Sequence, residues 1–349
     1  MPKVLAMLGY SASEIGIVFA AGPMVRFLLP FLFVKGFKLN TKVFNVAIVI
    51  MLSSALFFYN LVEDFYGVLF SNIGLGIGLS LILPYIELIS LKEMGKERYG
   101  KIRLFGSVGF VLVALVLVEF LSSVTIALNF FLGAIFLTAV ISFIIGRNIK
   151  EFEQTKTEQQ SSSINLLQDW QLWAGLTLMQ VSFGAFYNFF TIYETDHGIA
   201  LDMTVYLWSF GVLVEIIMLY FQGKLLRGNL LLILQVTTFL SAIRWFLVFL
   251  FAENVTVMFF AQSIHALSFA LFHSAAISYL YHLYTQKALA QQFFSGITYG
   301  LGGFVGALSA GYIYELYPNY LFLSSSLSAF LAFVCIFLWN QKLKTKELV

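Results

Sequence analysis

Apolar stretches recur along the whole chain, separated mostly by short polar loops. Eleven of them occupy residues 14–34, 43–61, 65–91, 103–123, 124–146, 170–193, 204–222, 230–251, 255–284, 290–314 and 319–340. Each comes close to the ~20 apolar residues that an α-helix needs to cross a hydrocarbon core of ~30 Å. Most have no polar stripe on a 3.6-residue period, so these helices are apolar nearly all round, as lipid demands. The pattern predicts an all-α polytopic membrane protein. Composition agrees: 11% of residues are charged, against about 25% in soluble domains.

The loops alternate in charge. One set holds Lys35, Lys38 and Lys42; Lys92, Lys96, Arg98, Lys101 and Arg103; Arg147, Lys150 and Lys156; Lys224 and Arg227; Lys287; and Lys342, Lys344 and Lys346. The intervening set carries Glu63, Asp64, Glu119, Glu194, Asp196, Asp202, Glu253 and Glu315. Loops that stay in the cytoplasm keep Lys and Arg during insertion, so the basic set and the C-terminus are expected on the cytoplasmic face of a cell (inner) membrane. A net charge of +2 therefore implies no nucleic-acid partner. An odd number of spans puts the N-terminus outside, and residues 1–12 have no signal-like apolar core. A missing first helix is the favoured explanation.

Residues 147–169, rich in Gln, Ser, Thr and Glu, read as a cytoplasmic linker. They divide the chain into a five-helix bundle (1–146) and a six-helix bundle (170–349). An offset of 189 residues pairs Gly9 with Gly198, Gly22 with Gly211, Lys35 with Lys224 and Arg26 with Glu215. Two parallel halves with a site between them near the bilayer midplane is a known transporter construction.

The stretches YSASEIGIVFAAGPMVRFLLPFLF, ILPYIELISLKEMGKERYGKIRLFGSVGF, YLWSFGVLVEIIMLYF, AIRWFLVFLF, QSIHALSFALFHSAAISYLY and QQFFSGITYGLGGFVGALSAGYIYE resemble the 3-phenylpropionate permease-like branch of the major facilitator superfamily. That branch is itself similar to lactose permease-type proton symporters. The resemblance covers nearly the whole chain from about residue 9 and implies two pseudo-symmetric helical bundles. Such proteins normally have one more span than is counted here. FVKGFKLNTK also lacks the acidic residue of the loop motif common in the wider superfamily.

Ionisable residues within the spans are the candidates for mechanism, since each costs about 2.5–3.5 kcal/mol at a helix centre. Arg26 and Glu215 each lie nine residues before a Lys that ends their helix, about 13 Å along the axis and so near mid-membrane. Arg244 lies within 230–251, and Glu87 is near the basic end of 65–91. Glu215 reads either as a proton-binding carboxylate or as half of a static ion pair with Arg26 or Arg244. The resemblance implies the first, because similar symporters place an acid, an Arg and a His on the helices that carry Glu215, Arg244 and His265. On an ideal helix His265 and His273 face broadly the same side, about 80° apart. Each suits a proton relay or a solute hydrogen bond, or simply a bond to backbone.

Arg26 and Arg244 are candidates to hold an anionic solute. A single carboxylate needs only one, leaving the other to balance Glu215. Glu87 is either a second gate acid or a partner of the basic loop. In 170–193, Trp173, Gln180, Phe183, Tyr187 and Asn188 either line an aromatic-tolerant pocket or pack the bundle. Gly74, Gly76 and Gly78, like Gly296, Gly300, Gly302, Gly303 and Gly306, lie inside apolar helices with no preceding strand, so they read as close helix contacts and not as phosphate loops.

HExxH, GxSxG and CxxC are all absent, and the single Cys335 excludes a disulfide within the chain. Enzymatic activity, a metal and a cofactor are not expected. The expected function is proton-coupled symport of a small organic solute, such as an aromatic carboxylate, by a monomer using alternating access. A sugar or nucleoside symporter, a drug exporter of the same fold, or a non-transporting scaffold or sensor are the alternatives.

Overall fold

The computed structural model describes residues 1–35, 37, 39–94, 105–116, 123–147, 164 and 166–347. Among these the regular structure is entirely helical. The N-terminal half comprises α1 (Pro2–Met7), α2 (Ala12–Val34), α3 (Thr41–Asn60), α4 (Phe65–Met94), α5 (Phe105–Val116) and α6 (Val124–Arg147). The C-terminal half comprises α7 (Trp170–Ser182), α8 (Gly184–Asp196), α9 (Leu201–Phe221), α10 (Leu230–Leu250), α11 (Val255–Ser263), α12 (Phe272–Leu283), α13 (Lys287–Phe293), α14 (Gly302–Leu316) and α15 (Leu321–Glu347). Nine spans among the described residues are long and apolar enough to cross a membrane.

The expected span 170–193 is two helices, α7 and α8, that meet at Phe183. Two other spans are continuous but irregular: Ala266–Leu271 joins α11 to α12 as a π-helix, and Phe294–Leu301 joins α13 to α14 in the same way. Such wide turns relax the i→i−4 ladder and often occur at functional positions.

Helix starts have local causes. The side chains of Asn40, Asn229 and Asn254 accept the backbone N–H of Val43, Leu232 and Val257 at 3.0, 3.0 and 3.2 Å, satisfying donors that a helix N-terminus leaves unpaired. Two of these caps lie 189 residues apart, at Asn40 and Asn229. The same offset relates the ends of α1 and α8 (Met7, Asp196), the starts of α2 and α9 (Ala12, Leu201) and the starts of α3 and α10 (Thr41, Leu230). It also relates Gly9 and Gly198, whose φ angles of 90° and 85° make the left-handed turn after α1 and after α8. The repeat thus extends to a shared cap residue, Asn40 and Asn229, and a shared left-handed glycine, Gly9 and Gly198.

The halves meet along α2, which lies against α14 and the π segment before it. A Cβ on Gly16 would fall 2.8 Å from the Ala307 carbonyl oxygen and 2.9 Å from Gly311 Cα, and one on Gly300 would fall 2.6 Å from the Phe27 nitrogen. The opposite side of α14 is equally close to α8, with Gly184 against Gly306. Small residues therefore set the helix spacing here. At the end bearing the acidic loops, the Ser13 N–H donates to Glu315 at 2.7 Å and Lys3 donates to Thr195 at 2.7 Å, joining the halves. At the basic end, Trp173 donates to Tyr284 (3.1 Å) and Tyr284 to Asp169 (2.6 Å), tying α7 to the end of α12.

Candidate functional site

Arg244, on α10, is the most enclosed charge described within the spans, at 1% exposure. Its Nη2 donates to Gln262 Oε1 at 2.6 Å; Nη1 donates to His265 Nδ1 at 3.0 Å and to Ser268 Oγ at 3.1 Å. Its guanidinium carbon lies 4.6 Å from the Phe186 ring centre and 4.2 Å from that of Trp245. Gln262, His265 and Ser268 are three residues apart and share a helix side, which lets one guanidinium fork serve all three.

A guanidinium only donates, so His265 Nδ1 is the acceptor and the neutral ring carries its proton on Nε2. That nitrogen faces Glu215 Oε2, on α9, at 3.6 Å. Arg244, His265 and Glu215 therefore form a chain of decreasing burial. Glu215 reaches a cleft of about 30 Å³ that it lines with Ser107 of α5, Leu219, Phe269, Ala270, His273 and Ser274. The cleft lies between the halves, since Ser107 belongs to the first and the other residues to the second. His273 Nδ1 lies 2.5 Å from the Tyr299 hydroxyl, within the second π segment. A π turn lies between the two histidines, and both adjoin Glu215, His265 at 3.6 Å and His273 across the cleft. His265 meets α10 and α9, while His273 meets the segment before α14.

Tyr187 is 43% exposed although it lies deep in the bundle, stacked on Phe183 at 5.5 Å. Its hydroxyl is within electrostatic range of Tyr299, Glu215, Arg244 and Arg26. Of these, Glu215 lines the cleft, whereas Arg244 is enclosed behind it. Arg26 is half-buried on α2, considerably more open than Arg244. Asn188 turns its amide back to the Gly184 carbonyl at 2.8 Å. Gln180, at 4% exposure, packs against Gly302, and Trp173 belongs to the contact with Tyr284 at the basic end. Glu87 is on α4, and its side chain lies outside the described residues. A larger cavity of about 880 Å³, walled by Tyr193, Asp196, His197, Glu253 and Tyr314 among others, opens at the acidic end, remote from this chemistry.

Sequence reasoning missed Gln262, Ser268, Phe186 and Tyr299. The first two carried a usable signal, their three-residue spacing about His265. Among described residues no cluster of three or more His, Cys, Asp or Glu is arranged to hold a metal ion.

Residues 1–323 match the family model described as "MFS_1 like family". The chain belongs to that family. This MFS-type chain is a multi-pass membrane transporter. It is 23% identical over 325 residues to "Probable 3-phenylpropionic acid transporter" of Escherichia coli (strain K12), covering 88% of this chain and 84% of that protein. It is 24% identical over 252 residues to "Uncharacterized transporter YwbF" of Bacillus subtilis (strain 168), covering 68% and 61%. Among solved structures, a mutant of the nucleoside transporter NupG superposes with a TM-score of 0.77 at 13% identity, covering 97% of this chain and 93% of that one. The POT family transporter PepTSo superposes with a TM-score of 0.73 at 10% identity, covering 96% and 90%. At such identities the structural likeness concerns the fold alone.

Proposed function

We propose that this transporter is a proton-coupled symporter of a small aromatic carboxylate, working by alternating access between bundles 1–146 and 170–349 joined by the linker 147–169. It acts as a monomer in the inner membrane with its C-terminus in the cytoplasm. The observation that carries the proposal is the chain Arg244–His265–Glu215, which runs from a buried cation to a carboxylate at the cleft between the halves.

Glu215 takes up and releases the proton. Arg244 cannot release its own, and the proton that its bond leaves on His265 Nε2 steadies the Glu215 carboxylate while it is charged. Arg26 grips the solute carboxylate, because it is the more open of the two guanidiniums. Arg244 is already committed to Gln262, His265 and Ser268. Tyr187 offers its ring face to the solute. The relative named for 3-phenylpropionic acid supports an aromatic acid as the solute.

Vesicles holding the purified protein, with an imposed pH gradient and radiolabelled 3-phenylpropionate, test this. The unaltered protein accumulates the label, whereas Glu215→Gln loses accumulation but keeps solute exchange across the membrane. Unchanged accumulation by Glu215→Gln removes that residue from coupling. Accumulation of a sugar or nucleoside from a parallel panel, and not of the acid, replaces the solute class.

A further inference from the structure

Arg244 is surrounded by more aromatic surface than its hydrogen bonds require. Its Nε is buried without a hydrogen-bond partner, and its three hydrogen-bond acceptors are neutral groups, so the ring faces add to what the hydrogen bonds supply. Two rings lie nearest. Trp245 is its sequence neighbour on α10 and moves with it. Phe186 comes from α8, and its centre stands 4.6 Å from the guanidinium carbon and 5.5 Å from the His265 ring. It is 1% exposed and also packs on Trp208 of α9 at 4.2 Å. Phe190 and Trp245 stand 5.1 and 5.4 Å from it, and its exposed sequence neighbour Tyr187 stands 5.7 Å away.

We infer that Phe186 is a positioning residue: its ring face pins the Arg244 guanidinium so that Nη1 stays on His265 Nδ1, and it ties that pair to the helix that presents Tyr187 to the solute. This rests on the proposed coupling role of Arg244, His265 and Glu215. Position is fixed from two directions. Hydrogen bonds from α11 and the adjoining π segment set the in-plane direction of the fork, and the rings of Phe186 and Trp245 set its height. With the α8 ring gone, nothing from outside α10 covers that face so closely. Phe183, the other ring of the α7–α8 junction, stands 5.9 Å away. Leu at position 186 fills similar volume but has no π face; Tyr restores one.

Phenylglyoxal, which modifies arginine, provides a test independent of transport. The purified full chain is labelled and each arginine is followed by peptide mass spectrometry. The expectation is that Phe186→Leu raises the labelling rate of Arg244 about tenfold, the scale of a desolvated cation–π contact, while Arg26 and Arg227 keep their rates. Phe186→Tyr keeps Arg244 as protected as in the unaltered protein. Equal protection in the Leu variant, equal labelling in the Leu and Tyr variants, or a parallel rise at Arg26 and Arg227 overturns the inference, the last because it shows general loosening. In vesicles Phe186→Leu then lowers accumulation of 3-phenylpropionate relative to its exchange, as Glu215→Gln does. Should Glu215→Gln still accumulate solute, the coupling role fails, and the labelling result still decides the positioning of Arg244.

Discussion

Arg244 donates to Nδ1 of His265 at 3.0 Å, and the other nitrogen of that ring faces Glu215 at 3.6 Å. One contact thereby sets the tautomer of the histidine and links the most buried cation described in the C-terminal half to the carboxylate at the cleft.

Replacing Arg244 with Lys keeps the charge and removes the fork. An ammonium cannot hold Gln262, His265 and Ser268 in one plane, and hydrogen bonds to charged groups are worth about 1.5–3 kcal/mol each. Arg244→Lys is expected to insert and fold while its pH-driven accumulation falls about 10- to 100-fold. Near-normal accumulation, measured at matched amounts of protein in the membrane, would show that charge alone suffices.

Arg26 should behave differently, because it is assigned to the solute. Arg26→Gln raises the KM for exchange about 10- to 100-fold, with a smaller effect on maximal rate. If the substitution lowers the maximal rate at unchanged KM, Arg26 belongs to coupling instead.

The contact between the halves gives a stability prediction with an internal control. Ala at Gly16 puts a methyl 2.8 Å from the Ala307 carbonyl oxygen, whereas a methyl at Gly133, on α6, meets nothing within 4 Å. Gly16→Ala is expected to cost about 1–3 kcal/mol through forced separation of α2 and α14. Gly133→Ala is expected to be neutral or mildly stabilising. Thermal unfolding in detergent separates them, and equal melting temperatures would contradict the close contact.

Nine of the eleven spans were legible among the described residues because lipid imposes both length and apolarity on them, and Arg26, Glu215 and Arg244 stood out because a charge there is expensive. The break at Phe183 and the two π segments were not legible. Hydropathy records which side chains are apolar and is blind to which carbonyl each N–H chooses. Phe186 was invisible for another reason, since in a chain that is 17% aromatic a ring beside a cation looks like any other packing residue. The repeat was faint as residue identity and is plain in structure at Asn40 and Asn229, where one side-chain oxygen does one backbone job.

Where Gly16 faces Gly311, main chain lies on main chain, with no protruding groups to interlock. Helices joined by interdigitated ridges must unmesh before they shift, whereas this strip has little to unmesh. In the proposed alternating access it serves as a bearing more than a weld, on which one half of the molecule rolls against the other while staying in touch.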